Sequence, residues 1–86
     1  MKIQWSEAAW HDYVIWQAED KKTTKRINNI IRDMARNPFQ GIGKPEALKG
    51  QHAGLYSRRI DQKNRIVYRV EKNIIEIFQC RSHYND

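Results

Sequence analysis

Ile27, Ile30, Ile31, Met34 and Ala35 recur at i, i+3, i+4, i+7 and i+8, the period of one face of an α-helix, and no other stretch of the chain repeats so clearly. Asp20 precedes the run as an N-cap, and Asn37-Pro38 ends it because a residue before proline avoids helical torsions. The opposite face carries Lys21, Lys22, Lys25, Arg26, Arg32 and Arg36. It reads either as a solvated surface or as one that tracks phosphates. A helix with a single apolar stripe must bury it against a second layer, which the rest of the chain has to supply.

Lys2-Ile3-Gln4-Trp5 alternates polar and apolar as a short strand does. Ser6 then reads as the N-cap of a helix running to about Ala18, with Glu7 favourably placed against its dipole and Trp10, Tyr13, Val14 and Ala18 as its apolar face. From Asn37 to Gly54, two prolines and four glycines punctuate a long loop, and such loops in small domains are usually functional. Strands are predicted over Leu55 to Ile60, Arg65 to Val70 and Ile74 to about Arg81, separated by the turns Asp61-Gln62-Lys63-Asn64 and Glu71-Lys72-Asn73. Short connections make them an antiparallel meander.

The fold class is therefore α+β: an N-terminal strand and two helices on one face of a small antiparallel sheet, with the other face accessible. Alternation along the strand puts Ile66, Tyr68 and Val70 toward the helices and Arg65, Val67 and Arg69 away from them. At 86 residues, a single domain over 1–86 is expected.

Sixteen Lys plus Arg against ten Asp plus Glu give a net charge of +6, which concentrates polyanions, nucleic acid first among them. A solubility role would give the same composition. With 40% hydrophobic residues, three of them Trp, the chain is expected to pack as a globule. One cysteine, Cys80, excludes an internal disulfide, and the opening residues do not resemble a signal peptide, so a cytoplasmic location is expected. No run of about 18 apolar residues exists to cross a membrane.

His11, His52 and His83 have no paired spacing and only one thiol accompanies them, so no zinc motif is present and no metal or cofactor is expected. Gly41-Ile42-Gly43-Lys44 lacks the spacing of a phosphate-binding loop. Cys80, late in an apolar strand, reads as a small buried hydrophobe. What remains is Glu46 and Lys49 in the long loop, Arg58 and Arg59 in one strand, Arg65 opening the next, and His83-Tyr84 after the last. In a meander, the start of the strand at 65 and the end of the last strand lie at the same end of the sheet, so Arg65 and His83 can approach.

Metal-free RNA cleavage needs a base for the 2′-OH proton, an acid for the departing 5′-oxygen and fixed positive charge around the phosphorane-like transition state. Glu46, His83 and Arg65 could fill those roles in that order, arginine suiting the charge because its fork holds two phosphate oxygens. The same residues have structural readings. Glu46 could pair with Lys44 or Lys49, Arg65 could guard a sheet edge, and a terminal histidine could be solvated.

The blocks K2-I-Q-W-S6, N37-P-F-Q-G-I-G-K-P-E46, L48-K49, G54-L-Y-S-R-R-I60, R65-I-V-Y68 and C80-R81 with H83-Y84 resemble YoeB-type toxins of the RelE-like group in bacterial toxin–antitoxin systems. The resemblance covers nearly the whole chain. It implies two helices on an antiparallel sheet and an mRNA endonuclease that enters the ribosomal aminoacyl site and cuts message during translation. It implies Glu46 as general base, His83 as general acid, Arg65 as transition-state charge, and Lys49, Arg59 and Tyr84 as residues placing the RNA; Lys44, Arg58 and Arg81 complete the expected RNA-binding set. A YefM-like antitoxin with an acidic C-terminal segment is the expected partner, and the resemblance leaves room for a homodimer. Ser82 departs from the aromatic expected between Arg81 and His83 in close relatives, removing a stacking surface worth about 1–3 kcal/mol per base. Asn85-Asp86 adds a carboxylate beyond Tyr84. The competing reading is a basic RNA- or ribosome-binding translation inhibitor that does not cleave. A DNA-binding co-regulator has no helix-turn-helix signature behind it.

Overall fold

The structure is a computed structural model, and it describes residues 1–82. Strand β1 (Lys2–Trp5) leads into helices α1 (Glu7–Glu19) and α2 (Lys21–Arg36); β2 (Glu46–Ala47), β3 (Tyr56–Arg59), β4 (Arg65–Glu71) and β5 (Ile74–Gln79) follow, with a 3₁₀ turn over Gly50–His52. The sheet order is β1-β5-β4-β3-β2.

Local chemistry sets the helix boundaries. Ser6 Oγ accepts from Ala9 N at 3.0 Å, capping α1, while donating to Phe78 O at 3.1 Å and so tying the end of β1 to β5. Asp20 serves both helices: its N–H donates to Trp16 O at 2.8 Å to close α1, and its Oδ1 accepts from Thr23 N at 3.0 Å to open α2. The two helices thus turn on one residue. Hydrogen bonds from Thr23 hold the Asp20 carboxyl below its ordinary range.

The α2 stripe is as expected: Ile27, Ile30 and Met34 are fully buried, with Ile31 packed at the margin. The face of α1 is not the expected one. Ala9 and Trp16 point into the core, Tyr13 lies at its edge, and Trp10 and Val14 are exposed. Trp16 is pulled inward because its indole Nε1 donates to Cys80 O at 2.7 Å, giving the large ring a buried polar partner. Trp10 instead closes an aromatic cluster with Trp5 and Tyr13, ring centroids 4.8 to 5.8 Å apart.

The meander of β3, β4 and β5 is antiparallel, as predicted, but the sheet as a whole is mixed. β1 is not packed on the sheet face: it enters the sheet, running parallel to β5 with Ile3 opposite Ile75. The connection from β1 to its partner β5 runs through both helices and β2 to β4, far longer than the roughly a dozen residues a parallel pair requires. The long loop also contains a strand that sequence did not reveal, the two-residue β2, pairing antiparallel with β3. Ile66, Tyr68, Ile75 and Ile77 meet the helices in one core, with Val70 at its margin.

Candidate active site

Strand alternation and register build the face away from the helices. Glu46 stands opposite Ser57, Ser57 opposite Val67, and Arg59 opposite Arg65. Cross-strand partners share a sheet face, so Glu46, Ser57, Arg59, Arg65 and Val67 all project from the side without helices. From strand spacing and rise, the Cα atoms of Glu46 and Arg65 lie about 12 Å apart, a span that a carboxylate and a guanidinium can close around one phosphodiester. Lys49 is exposed just past β2, where Glu46, Leu48, Lys49 and His52 line an open cavity of about 530 Å³. The face is not wholly bare, since Ser57, Val67 and Leu48 are buried.

Arg65 opens β4 beside the end of the described chain. Its N–H donates to Ser82 O at 3.1 Å, so the residue preceding His83 is bonded to the strand that carries Arg65. The Arg65 guanidinium caps the β3–β4 turn, Nη1 donating to the carbonyls of Asp61, Gln62 and Asn64 at 2.7, 3.3 and 3.1 Å. Among the described residues all three bonds use one nitrogen, so none of them occupies the rest of the planar fork, which suits an anion. His83 and Tyr84 lie outside the described residues.

Arg58 overturns its expected role in contacting RNA. Alternation places it opposite to Arg59, on the helix side, where its side chain is 0% exposed. Its guanidinium donates to Asp33 Oδ2 at 2.7 Å, Asn37 O at 2.6 Å, Gln40 O at 2.9 Å, Ile42 O at 3.2 Å and Tyr68 Oη at 3.2 Å. The loop leading to β2 is wrapped around this one cation. Tyr68 Oη donates onward to Pro38 O at 2.7 Å, and Ile42 N donates to Asp33 Oδ2 at 3.0 Å. Hydrogen bonds from Arg58 and the Ile42 amide hold the Asp33 carboxyl below its usual range. Gly41, at φ +129°, lies so close that a Cβ there would collide with the Asp33 carboxylate. The loop then leaves the hub through Gly43, whose carbonyl accepts from Arg59 N at 2.6 Å, and β2 follows with Glu46.

The remaining expected residues fall in different places. Lys44 and Arg59 are exposed near the β2–β3 edge. Arg81 is drawn to α1, its guanidinium 3.3 Å from Glu19 Oε1 and 4.8 Å from the Trp16 ring. Cys80 is buried as expected, and burial, reinforced by the nearby Asp12 carboxylate, pushes its thiol up to about 12, which removes it as a nucleophile near neutral pH. Sequence reasoning missed Asp33, Tyr68 and Asn64. Asp33 had a legible signal, because period 2 in β3 requires one of two adjacent arginines to point inward and an inward arginine requires a carboxylate. Among the described residues, no group of three or more His, Cys, Asp or Glu side chains could hold a metal ion.

A strand and a helical hairpin joined to an antiparallel meander, with a carboxylate and arginines on the open sheet face, define a small α+β protein whose open face suits a phosphate-bearing ligand. Residues 5–84 match the family described as the YoeB-like toxin of bacterial type II toxin–antitoxin systems. Toxin YoeB of Escherichia coli O6:H1 is 50% identical over 84 residues, covering 98% of this chain and all of that one. The YoeB/ParE toxin from Agrobacterium tumefaciens superposes with a TM-score of 0.94 at 48% identity, covering 98% of this chain and 100% of that one. YoeB of Staphylococcus aureus, solved as a heterotetrameric complex with YefM and as a dimer, gives a TM-score of 0.90 at 45% identity over 98% of both chains. The chain belongs to the YoeB-like toxins of type II toxin–antitoxin systems.

Proposed function

We propose that this toxin is a ribosome-dependent mRNA endonuclease that cuts by 2′-OH attack without a metal. The observation that carries the reading is the convergence of Glu46, Arg59 and Arg65 on one open sheet face, with Ser82, the neighbour of His83, bonded to Arg65 N. Glu46 takes the 2′-OH proton, the 2′-oxygen attacks phosphorus, and the P–O5′ bond breaks. His83 protonates the departing 5′-oxygen, leaving a 2′,3′-cyclic phosphate and a 5′-OH. Arg65 balances the charge that builds on the phosphoryl oxygens. Lys49, Arg59 and Tyr84 place the RNA, with Lys44 and Arg81 as outlying phosphate contacts.

The ribosome supplies the message in the aminoacyl site, and the toxin acts in the cytoplasm, where translation occurs. No helix among the described residues is long and apolar enough to cross a membrane. A YefM-like antitoxin with an acidic tail competes with RNA for Arg59, Arg65 and the terminal segment, and a homodimer accords with the Staphylococcus aureus relative.

The test is to map message ends in a translating extract with the purified toxin and with Glu46→Ala and His83→Gln variants. Removing a positioned acid or base should lower cleavage by about 10²–10⁴. Variants that inhibit translation as strongly as the parent, with no new message ends, would make blockade without cleavage the better account.

A further inference from the structure

The β3–β4 turn grips the chain immediately before the terminal imidazole. We propose that Asn64 is a positioning residue whose side-chain amide, locked by Asp61, fixes Ser82 against β4 and so sets where His83 begins. The proposal rests on the acid role given to His83 above.

Both backbone polar groups of Ser82 are held: its N–H donates to Asn64 Oδ1 at 2.6 Å, and its carbonyl accepts from Arg65 N at 3.1 Å. The orientation of the Asn64 amide is itself determined, because Nδ2 donates to both Asp61 carboxylate oxygens at 3.1 Å, which leaves Oδ1 to face Ser82. Asp61 is pinned in turn by the amides of Lys63 at 2.8 Å and Asn64 at 2.7 Å. Ser82 adopts φ +61°, a left-handed conformation that a residue with a Cβ keeps when its surroundings hold it.

Upstream, Cys80 is fixed by Trp16 and by Asp12 Oδ2, which accepts from Cys80 N at 3.1 Å. Ser82, the residue directly before His83 in the sequence, is thus held through both its N–H and its carbonyl. A displacement of about 1 Å at a reacting group costs on the order of 10²-fold in rate. Asn64 has no acid, base or charge to offer. Its contribution is the position of the segment, delivered from the same turn that Arg65 caps.

The experiment compares the purified full-length toxin with Asn64→Ala and with the exchange Asp61→Asn/Asn64→Asp. The exchange preserves the relay, since the new amide donates to the new carboxylate, which still accepts from Ser82 N. Cleavage of programmed ribosomes gives kcat and KM, hydrogen exchange reports the Ser82 amide, and thermal unfolding reports the fold. Asn64→Ala should expose the Ser82 amide and lower kcat about tenfold or more, with KM within about twofold; the exchange should restore most of both losses. An undiminished kcat, a change carried by KM, or a loss that the exchange fails to recover overturns the proposal; if Asn64→Ala does not fold, the exchange decides alone. His83→Gln is assayed in parallel. If it cleaves like the parent, the acid assignment falls whatever Asn64 does, whereas an inactive His83→Gln beside a fully active Asn64→Ala removes the clamp alone.

Discussion

Two adjacent arginines in β3 have opposite fates. Arg59 is exposed beside the candidate site; Arg58 is sealed among five acceptors that hold the loop carrying Glu46. Breaking a buried pair leaves the partner charge unsatisfied, at a cost of about 3–5 kcal/mol, whereas exposed substitutions cost within about 0.5 kcal/mol. Arg58→Ala should therefore lower the urea midpoint strongly and Arg59→Ala hardly at all; equal midpoints would show that the hub does not carry the loop. The same hub gives an acid dependence. The Asp33 pKa is depressed on folding, so its contribution is fully present above the unfolded value of 3.8 and is lost as pH falls through the lower folded value. Stability of the parent should fall over that acid window, and Asp33→Asn should flatten part of the slope in urea titrations at successive pH values.

At the scale of elements, the sequence showed each helix start, because capping is local: Ser6 and Asp20 lie within three residues of the amides they accept from. Asp20 joins α1 to α2 without a linker, so its loss touches both helices. Asp20→Ala is expected to cost about 1–2 kcal/mol, read as a lowered denaturation midpoint with an unchanged slope; an unaffected midpoint would mean the cap is dispensable. The inward face of α1 was misjudged because three aromatics within a few residues fit more than one stripe. Which of them went inward was decided by the carbonyl of Cys80, 64 residues further on. β2 was equally hidden, being two residues long and apparent only through its register with Ser57 and Tyr56.

Across the whole molecule, the sheet separates two tasks. Its helix side holds the apolar core and the Arg58 hub, and its open side gathers Glu46, Arg59 and Arg65. The basic residues of α2 stand on the outer surface of the helical layer, and among the described residues only Arg36 forms an ion pair there, with Asp33 at 3.4 Å. The placement of Arg65 on the open face was readable from alternation alone. That of Glu46 was not, because nothing in the loop states how it folds back until Arg58 is seen to gather its carbonyls.

The sequence alone determined what depends on near neighbours: helix periods, caps, the β3–β4–β5 meander, strand alternation and, through its motif blocks, the family. Tertiary structure decided the parallel pairing of β1, the inward turn of Arg58 and Trp16, and the anchoring of Ser82 by Asn64. Each of those outcomes satisfies a buried or strained backbone group with a partner distant in the chain, and such partners are brought together only when the layers close.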